Sequence, residues 1–352
     1  MNKRRWDRVP TFAYLDGPNY AFGIPDEQLN LISERISFVI LGKWVGRLKC
    51  GSSESGSAAA MKQIKLRNPH VGVYFSWSAC DYFTAFYKSM ERGRLPESYA
   101  VRALDFEKNG YLASTHADAL FWNTSHANMR NWWVSTVEHE VRRVGYDGVY
   151  VDGIKQYILR KEEIGEIVGE SLAIQLADGV HSMMADLRDA PGLGRTSIIY
   201  NGIKSSPEWP DGGSRFVEKE LADGVVLESF GMNSAPSPEP EAMAADMALV
   251  STLDGRGNLV AFTSGEDTCP GSSNALEFGL ACFLCCAGEN SYFRFSGSDA
   301  EAQFRDLSEY VVGPPRTVLQ QDRGSMTFRR EFECATVEVD LKARESHIQW
   351  KV

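Results

Sequence analysis

Two acidic residues end apolar segments of the sequence that are predicted to be strands. Asp152 ends the segment Gly148–Asp152, and Glu228 ends the segment Gly224–Glu228. Glycoside hydrolysis needs such a pair, because one carboxylic acid protonates the leaving oxygen while the other carboxylate attacks the anomeric carbon or activates water. The apolar neighbours of Glu228 would raise the pKa of its carboxyl group, which favours Glu228 as the general acid. Asp152 is then the nucleophile or the base.

Both carboxyl groups also fit a second interpretation, in which each forms a salt bridge or a helix N-cap where its strand ends. Three other polar residues follow apolar segments in the same way and are candidates for substrate binding. Asn201 could bond a sugar hydroxyl or cap the next helix, and Asp16 could bind substrate or stabilise the turn Asp16-Gly17-Pro18-Asn19. Asn123 ends a comparable segment.

Four aromatic residues on or near the predicted strand ends could stack against the apolar CH faces of sugar rings. They are Tyr74, Trp77, Trp122 and Tyr200. Polar residues flank Trp77 and Trp122, so these two are the better candidates. A barrel core also uses large side chains, so for each of the four a position in the core is favoured at least as much as a role in binding.

Other common catalytic motifs are absent from the sequence. His139-Glu140 is not followed by a second histidine at zinc-protease spacing, and no Gly-x-Ser-x-Gly or Walker phosphate loop occurs. The seven cysteines have no regular spacing. We therefore expect no metal and no organic cofactor.

Eight apolar segments, separated by helical patterns, must position these residues. Near-continuous apolar segments are typical of parallel strands that are covered on both faces. Eight of them over about 250 residues predict a (β/α)8 TIM barrel, whose chemistry lies at the carboxyl ends of the strands. A doubly wound sheet is the main competitor, but its Gly-rich fingerprint is missing. The predicted strands are 11–16, 36–41, 71–77, 119–123, 148–152, 197–201, 224–228 and 258–263.

The C-terminal part of the chain has a different pattern. A segment rich in small residues predicts a helix over 276–287, and Ser291–Phe295 is a possible extra strand. Three segments after residue 324 alternate between polar and apolar residues, as antiparallel strands do. We predict a barrel over residues 1–300 and a β-rich appendage over 301–352 that packs on it, because so few residues cannot bury a core alone.

Three predicted strands begin just after an aspartate, at Asp118, Asp147 and Asp223. These entrance aspartates would lie at the amino ends of the strands, the face of a barrel that contributes to stability. We expect them to bond to the backbone there.

Composition limits the partners of the protein. The chain has 37 basic and 47 acidic residues, a net charge of −10 that disfavours nucleic acid. The same charge makes a polyanionic glycan less favourable, although a local arginine could override it. No apolar segment is long enough to span a membrane, and no signal peptide is evident. A cytoplasmic protein is expected, or a secreted one whose leader has been removed; the oligomeric state is left open.

The segment Gly145-Tyr-Asp-Gly-Val-Tyr-Val-Asp-Gly153 resembles the hypothetical (β/α)8 glycoside-hydrolase families related to endo-α-1,4-polygalactosaminidases, which carry a Gly-aromatic-Asp-Gly-Val-x-x-Asp motif. The resemblance implies a TIM barrel with a small C-terminal β-structure, and cleavage of glycosidic bonds by Asp152 and Glu228. The tail departs from the family pattern at Glu333–Ala335 and Asp340. Shorter matches extend the resemblance over most of the chain, at 12–18, 64–69, 228, 313–314 and 330–332.

Two other functions compete with hydrolysis of a poly- or oligosaccharide. The first is a non-catalytic carbohydrate-binding barrel, in which the carboxylates only bond sugar hydroxyls. The second is a polysaccharide lyase, which needs a tyrosine, histidine or lysine base; Tyr200 and Lys155 are the candidates.

Overall fold

Eight parallel strands form the centre of the protein, as the computed structural model shows for residues 6–91, 93–105, 110–113, 119–202, 213–228, 230, 239–265, 274–296, 307 and 310–351. The strands are β1 (Phe12–Leu15), β2 (Phe38–Leu41), β3 (Gly72–Ser78), β4 (Asp81–Phe83), β5 (Ala119–Phe121), β6 (Gly148–Asp152), β7 (Ser197–Asn201), β8 (Gly224–Leu227), β9 (Leu259–Gly265), β10 (Ser291–Ser296), β11 (Gln320–Gln321), β12 (Thr327–Glu331), β13 (Ala335–Asp340) and β14 (Glu345–Trp350). The parallel sheet has the order β1-β2-β3-β6-β7-β8-β9-β10.

Helices connect successive strands of this sheet. They are α1 (Asp26–Arg35), α2 (Arg47–Cys50), α3 (Ser53–Arg67), α4 (Ala127–Val144), α5 (Gln156–Leu159), α6 (Lys161–Val168), α7 (Glu170–Arg188), α8 (Arg215–Glu218), α9 (Pro240–Gly255) and α10 (Ala275–Cys286). Three short 3-10 helices span Pro18–Tyr20, Lys88–Met90 and Glu97–Tyr99. None of the helices within the described ranges is long and apolar enough to cross a membrane.

The first and last strands of the sheet meet and close the barrel. Thr11 and Phe293 form a parallel bridge, and the amide of Phe293 donates to the carbonyl of Pro10 at 2.7 Å. The predicted TIM-barrel class is therefore confirmed, and the sequence placed seven of its eight strands correctly.

The remaining predicted strand is wrong. Ala119–Asn123 does not belong to the barrel, because Ala119–Phe121 pairs with β4 in a separate two-stranded antiparallel sheet. Ser291–Phe295, treated in the sequence only as a possible extra strand, is instead the eighth barrel strand, and it pairs with β9. The barrel thus goes from β3 directly to β6, and residues 79–147 between them include an insertion.

Alternate residues of the barrel strands point into its interior. The buried inner cluster contains Phe12, Phe38, Ile40, Tyr74, Tyr150, Ile199, Val226, Leu259 and Ala261, with Tyr14 and Tyr292 partly buried beside it. Because side chains alternate with a period of two, the residue two positions after an inward residue also faces the interior, one layer closer to the mouth. Asp152, Asn201, Glu228 and Arg294 follow Tyr150, Ile199, Val226 and Tyr292 in this way.

The entrance aspartates bond to neighbouring strands, as the sequence predicted. Asp147 accepts a hydrogen bond from the amide of Val73 at 2.8 Å and pairs with Lys65 at 2.6 Å. Asp223 accepts from the amide of Ile198 at 2.8 Å. Asp118 lies outside the described residues.

The four-stranded antiparallel sheet β11-β12-β13-β14 follows the barrel and packs against α10. Arg330 of β12 donates to the carbonyls of Leu284 at 3.1 Å, Cys285 at 3.3 Å and Ala287. These carbonyls lie at the C-terminal end of α10, where no intrahelical donor is available. The predicted C-terminal strands and their packing on the barrel are therefore present, while the domain boundary near residue 300 stays a prediction.

Candidate active site

The carboxyl groups of Asp152 and Glu228 meet at the mouth of the barrel through Asn201. The Nδ2 atom of Asn201 donates to Oδ1 of Asp152 at 2.7 Å and to Oε2 of Glu228 at 3.1 Å. The Oδ1 atom of Asn201 accepts from the amide of Ile154 at 3.3 Å, so this side chain is held at both ends. In this structure Asn201 joins the two acids instead of capping the next helix.

Glu228 is surrounded by groups that stabilise its negative charge. Lys155 contacts Oε2 at 2.9 Å, and the hydroxyl of Tyr150 donates to Oε1 at 2.6 Å. Burial raises the pKa of Glu228, but Lys155, Tyr150 and Asn201 together outweigh that effect and leave the pKa below its ordinary value. The raised pKa expected from the apolar neighbours of Glu228 is therefore wrong, because these three polar partners come from other strands and loops.

Asp152 shows the opposite behaviour. Burial raises its pKa to about 7, and the negative charge of Glu228 adds to this effect. Lys43 and a 2.7 Å hydrogen bond from the amide of Gly153 oppose the rise without cancelling it. Asp152 is therefore the carboxyl group of the pair that keeps its proton up to about pH 7, while Glu228 carries the negative charge.

Asp16 lies close to this pair. Its carboxylate accepts from the amide of Trp44 at 3.2 Å and pairs with Lys43 at 3.1 Å, which ties the end of β1 to the residues after β2. Burial is the largest cause that raises the pKa of Tyr14, and the negative charges of Asp152, Asp16 and Glu228 add to it. A Cβ atom on Gly42 would lie 2.6 Å from the Asp16 side chain, which explains a glycine there.

The structure does not bring the other predicted binding residues to the mouth. Trp77 is buried against Tyr87, and Trp122 is buried in a stack with Tyr82 at 4.2 Å. Neither ring has an exposed face on which a sugar could stack. Asn123 lies beyond β5, where its amide donates to the carbonyl of Ser98 at 3.3 Å.

Tyr74 and Tyr200 are also buried. Tyr74 points towards the opposite end of the barrel, where Asp147 and Asp223 contribute to a pKa that burial raises to about 12. The hydroxyl of Tyr200 donates to the carbonyl of Gly213. Since Lys155 pairs with Glu228, neither candidate base for a lyase is free at the mouth.

Sequence reasoning missed two residues of the site and gave a third another role. Tyr150 shares the inward face of the correctly predicted β6 with Asp152, so the period of two alone would have found it. Arg294 shares the inward face of β10 with Tyr292, so it required that strand to be assigned to the barrel. Lys155 was considered only as a lyase base, and its pairing with Glu228 depends on the loop after β6. No group of three or more histidine, cysteine, aspartate or glutamate side chains in the described part of the chain could hold a metal ion.

The fold and this site define a (β/α)8 barrel protein with two carboxyl groups at the carboxyl ends of its strands. The model of hypothetical glycosyl hydrolase family 15 matches residues 65–336, and the chain belongs to this family. The resemblance inferred from the sequence is thereby confirmed. No curated protein matches the chain.

Solved glycoside hydrolase structures show similar folds. The glycoside hydrolase domain of PelA from Pseudomonas aeruginosa is 14% identical, with a TM-score of 0.48 over 83% of this chain and 96% of that one. Ega3 from Aspergillus fumigatus, in complex with galactosamine, is 12% identical, with a TM-score of 0.44 over 85% and 94%. The α-N-acetylgalactosaminidase NagBb from Bifidobacterium bifidum is 11% identical, with a TM-score of 0.54 over 97% and 58%. The last similarity supports the barrel fold.

Proposed function

We propose that the protein cleaves O-glycosidic bonds of a poly- or oligosaccharide with the carboxyl groups of Asp152 and Glu228. The supporting observation is the single Nδ2 atom of Asn201, which lies 2.7 and 3.1 Å from one oxygen of each acid. Those two oxygens are therefore less than about 6 Å apart, which fits the ~5–5.5 Å of retaining enzymes better than the ~6.5–9.5 Å of inverting ones. We infer that the reaction retains the anomeric configuration.

The charges of the site favour one division of roles. Glu228 is ionised and would attack the anomeric carbon, while Asp152 holds a proton and would transfer it to the leaving oxygen. Water would then attack the glycosyl ester and give a proton back to Asp152, which releases the sugar and the Glu228 carboxylate. These roles are the reverse of those that the sequence suggested for the same two residues.

The two carboxyl groups supply both the nucleophile and the proton, so the proposed reaction needs no metal and no organic cofactor. Dialysis against EDTA should leave the rate of hydrolysis unchanged. A rate that falls and is restored by an added divalent ion would contradict this part of the proposal.

The substitution Asp152→Asn tests the proposal, because an amide cannot donate the proton that the leaving oxygen requires. We expect kcat to fall by about 10²–10⁴-fold with no loss of thermal stability, measured by product-resolved chromatography on a glycan panel. Glu228→Gln should have a similar or larger effect. Azide should restore turnover of Glu228→Ala with inverted product, because a small anion can take the place of the missing nucleophile.

Asp147→Asn is the matched control, since Asp147 lies at the other end of the same strand. It should lower the free energy of unfolding by about 1 kcal/mol through its bond to Val73 and leave kcat unchanged. Glycan binding without any product would favour a carbohydrate-binding barrel, and unsaturated product ends that absorb in the ultraviolet would indicate a lyase. Unchanged turnover in Asp152→Asn would remove Asp152 from the mechanism.

A further inference from the structure

Arg294 places a positive charge inside the mouth of the barrel. It lies on β10 beside Thr263 of β9, two residues after the inward-facing Tyr292. Its Cζ atom lies 5.7 Å from the centre of the Tyr14 ring. The Tyr14 ring in turn lies 5.4 Å from the ring of Tyr150, whose hydroxyl donates to Glu228 of the candidate site at 2.6 Å. The guanidinium group is therefore next to the space where a sugar would have to bind.

Within the described part of the chain, Arg294 differs from Lys43 and Lys155 in having no ion-pair partner. Lys43 pairs with Asp16 at 3.1 Å, and Lys155 pairs with Glu228 at 2.9 Å. Among the residues that the structure describes, Arg294 has neither a hydrogen bond nor an ion pair, and the face of Tyr14 is its one assigned contact. Desolvation lowers the pKa of its guanidinium, while Tyr14, Tyr20, Tyr150 and Glu228 act in the opposite direction, in falling order of effect.

A half-buried guanidinium without a carboxylate partner is unfavourable, because it has lost part of its hydration and the contact with the Tyr14 ring replaces none of its hydrogen bonds. Its planar fork binds carboxylate and sulfate groups with two parallel hydrogen bonds, and stacking on Tyr14 would hold that fork in place. Lys155 could not bind an anion in this way, because Glu228 already neutralises its charge.

We propose that Arg294 binds an anionic substituent of the substrate, so that the enzyme acts on a glycan with a carboxylate- or sulfate-bearing sugar next to the scissile bond. This inference rests on the proposed function for its location and adds the chemical class of the sugar. It also means that the charge of one residue in the mouth overrides the net charge of −10, which by itself disfavours an acidic glycan.

The experiment measures the binding of small sugars, which needs no turnover. Isothermal titration at pH 6 and low salt would compare D-glucuronate with D-glucose and D-galacturonate with D-galactose, pairs that differ only at the C6 carboxylate. Glucose 6-sulfate separates a sulfate from a carboxylate preference, and D-galactosamine supplies the opposite charge. We expect the wild type to bind the better uronate, or the sulfate, about tenfold or more tightly than its neutral counterpart, and more weakly at high salt.

Arg294→Met should remove this preference, and Arg294→Lys should retain only part of it because the fork is lost. Arg329→Met, which removes an exposed arginine on β12, is the matched control and should leave the preference intact. If Arg294→Met does not fold, Arg294→Lys and the salt dependence decide. Equal binding of charged and neutral sugars by the wild type, tighter binding of galactosamine than of galactose, or an unchanged preference in Arg294→Met would overturn the proposal.

Glu228→Gln separates this inference from the proposed function. It should abolish hydrolysis but keep or strengthen the anion preference, because a nearby negative charge is removed. An anion preference in a wild type that cleaves no glycan would support the role of Arg294 and contradict hydrolysis. Hydrolysis without any anion preference would support the proposed function and contradict the role of Arg294.

Discussion

Asn201 holds two carboxyl groups so close together that their protonation is linked. Asp152 has a pKa of about 7, and Glu228 has a pKa below its ordinary value. If Asp152 must be protonated and Glu228 ionised, kcat/KM should fall as pH rises through about 7 and fall again in acid as Glu228 gains a proton. A pH–rate profile on a responsive glycan measures both limits.

Two lysines should move different limits of that profile. Lys155→Met removes the cation beside Glu228, so the pKa of Glu228 and the acid limit should both rise. Lys43→Met removes a charge that lowers the pKa of Asp152, so the alkaline limit should move to higher pH. Each variant is the control for the other, and a profile that neither variant shifts would contradict the assigned roles.

The same pKa makes a prediction about stability. Folding raises the pKa of Asp152 from 3.8 to about 7, so its contribution to stability is complete below about pH 4 and is lost as pH rises through 7. Asp152→Asn lacks this loss. The variant should therefore gain roughly 1 to 4 kcal/mol relative to the wild type between pH 4 and pH 7.5, measured by urea unfolding. A difference that does not change with pH would show that Asp152 stays ionised.

The two carboxyl groups of the candidate site could be predicted from the sequence, but the directions of their pKa shifts could not. Asp152 and Glu228 each end an apolar segment, and parallel strands bring such ends together. The pKa of Glu228 depends instead on Tyr150 and Lys155, which lie more than 70 residues away in the chain. The residues next to Glu228 in the sequence predicted a raised pKa, whereas the residues next to it in space lower the pKa.

The barrel elements depend on close approaches that only glycine permits. Gly148 opens β6, and a Cβ atom there would lie 2.2 Å from the ring of Tyr74. Gly148→Ala should therefore lower the free energy of unfolding by about 1–3 kcal/mol or more, because a buried ring must move. Gly255→Ala, where nothing lies within 4 Å, is the control and should change it by less than about 0.5 kcal/mol in chemical denaturation. Equal changes in the free energy of unfolding for the two substitutions would show that the Tyr74 ring can move aside without loss of stability.

The incorrect strand also has a physical explanation at this scale. Ala119–Asn123 and the true barrel strands share an apolar segment that ends in a polar residue. That pattern indicates burial on both faces but does not identify the neighbouring strand, and β5 pairs with β4 instead of with a barrel strand. In β10, buried residues alternate with the partly buried Tyr292 and Arg294, which face the barrel interior. The segment therefore lacks the near-continuous apolar pattern that is typical of a parallel strand.

At the scale of the whole molecule, Arg330 joins the C-terminal sheet to the barrel. It donates to three carbonyls at the end of α10, and Arg330→Met would leave them without this donor. We expect the free energy of unfolding to fall by about 2–4 kcal/mol, measured by chemical denaturation, with kcat of the remaining folded protein unchanged.

Arg329→Met is the control for this prediction. Arg329 is adjacent in sequence but forms an exposed pair with Glu338, so its loss should change the free energy of unfolding much less than the loss of Arg330 does. Similar destabilisation by the two variants would show that Arg330 does not join the two parts. The sequence predicted the packing of the tail, but the residue that anchors it became evident only from the register of β12.

The aromatic residues at the other end of the barrel affect how substrate enters the site and how product leaves it. Phe38 contacts the rings of Phe12, Tyr74 and Tyr292 at 5.0–5.2 Å, and together they fill the barrel below the two acids. We therefore expect substrate to enter and product to leave the barrel through the mouth at the carboxyl ends of the strands. Each product would leave by the same route that the next substrate uses. Accumulated product should therefore slow the binding of substrate.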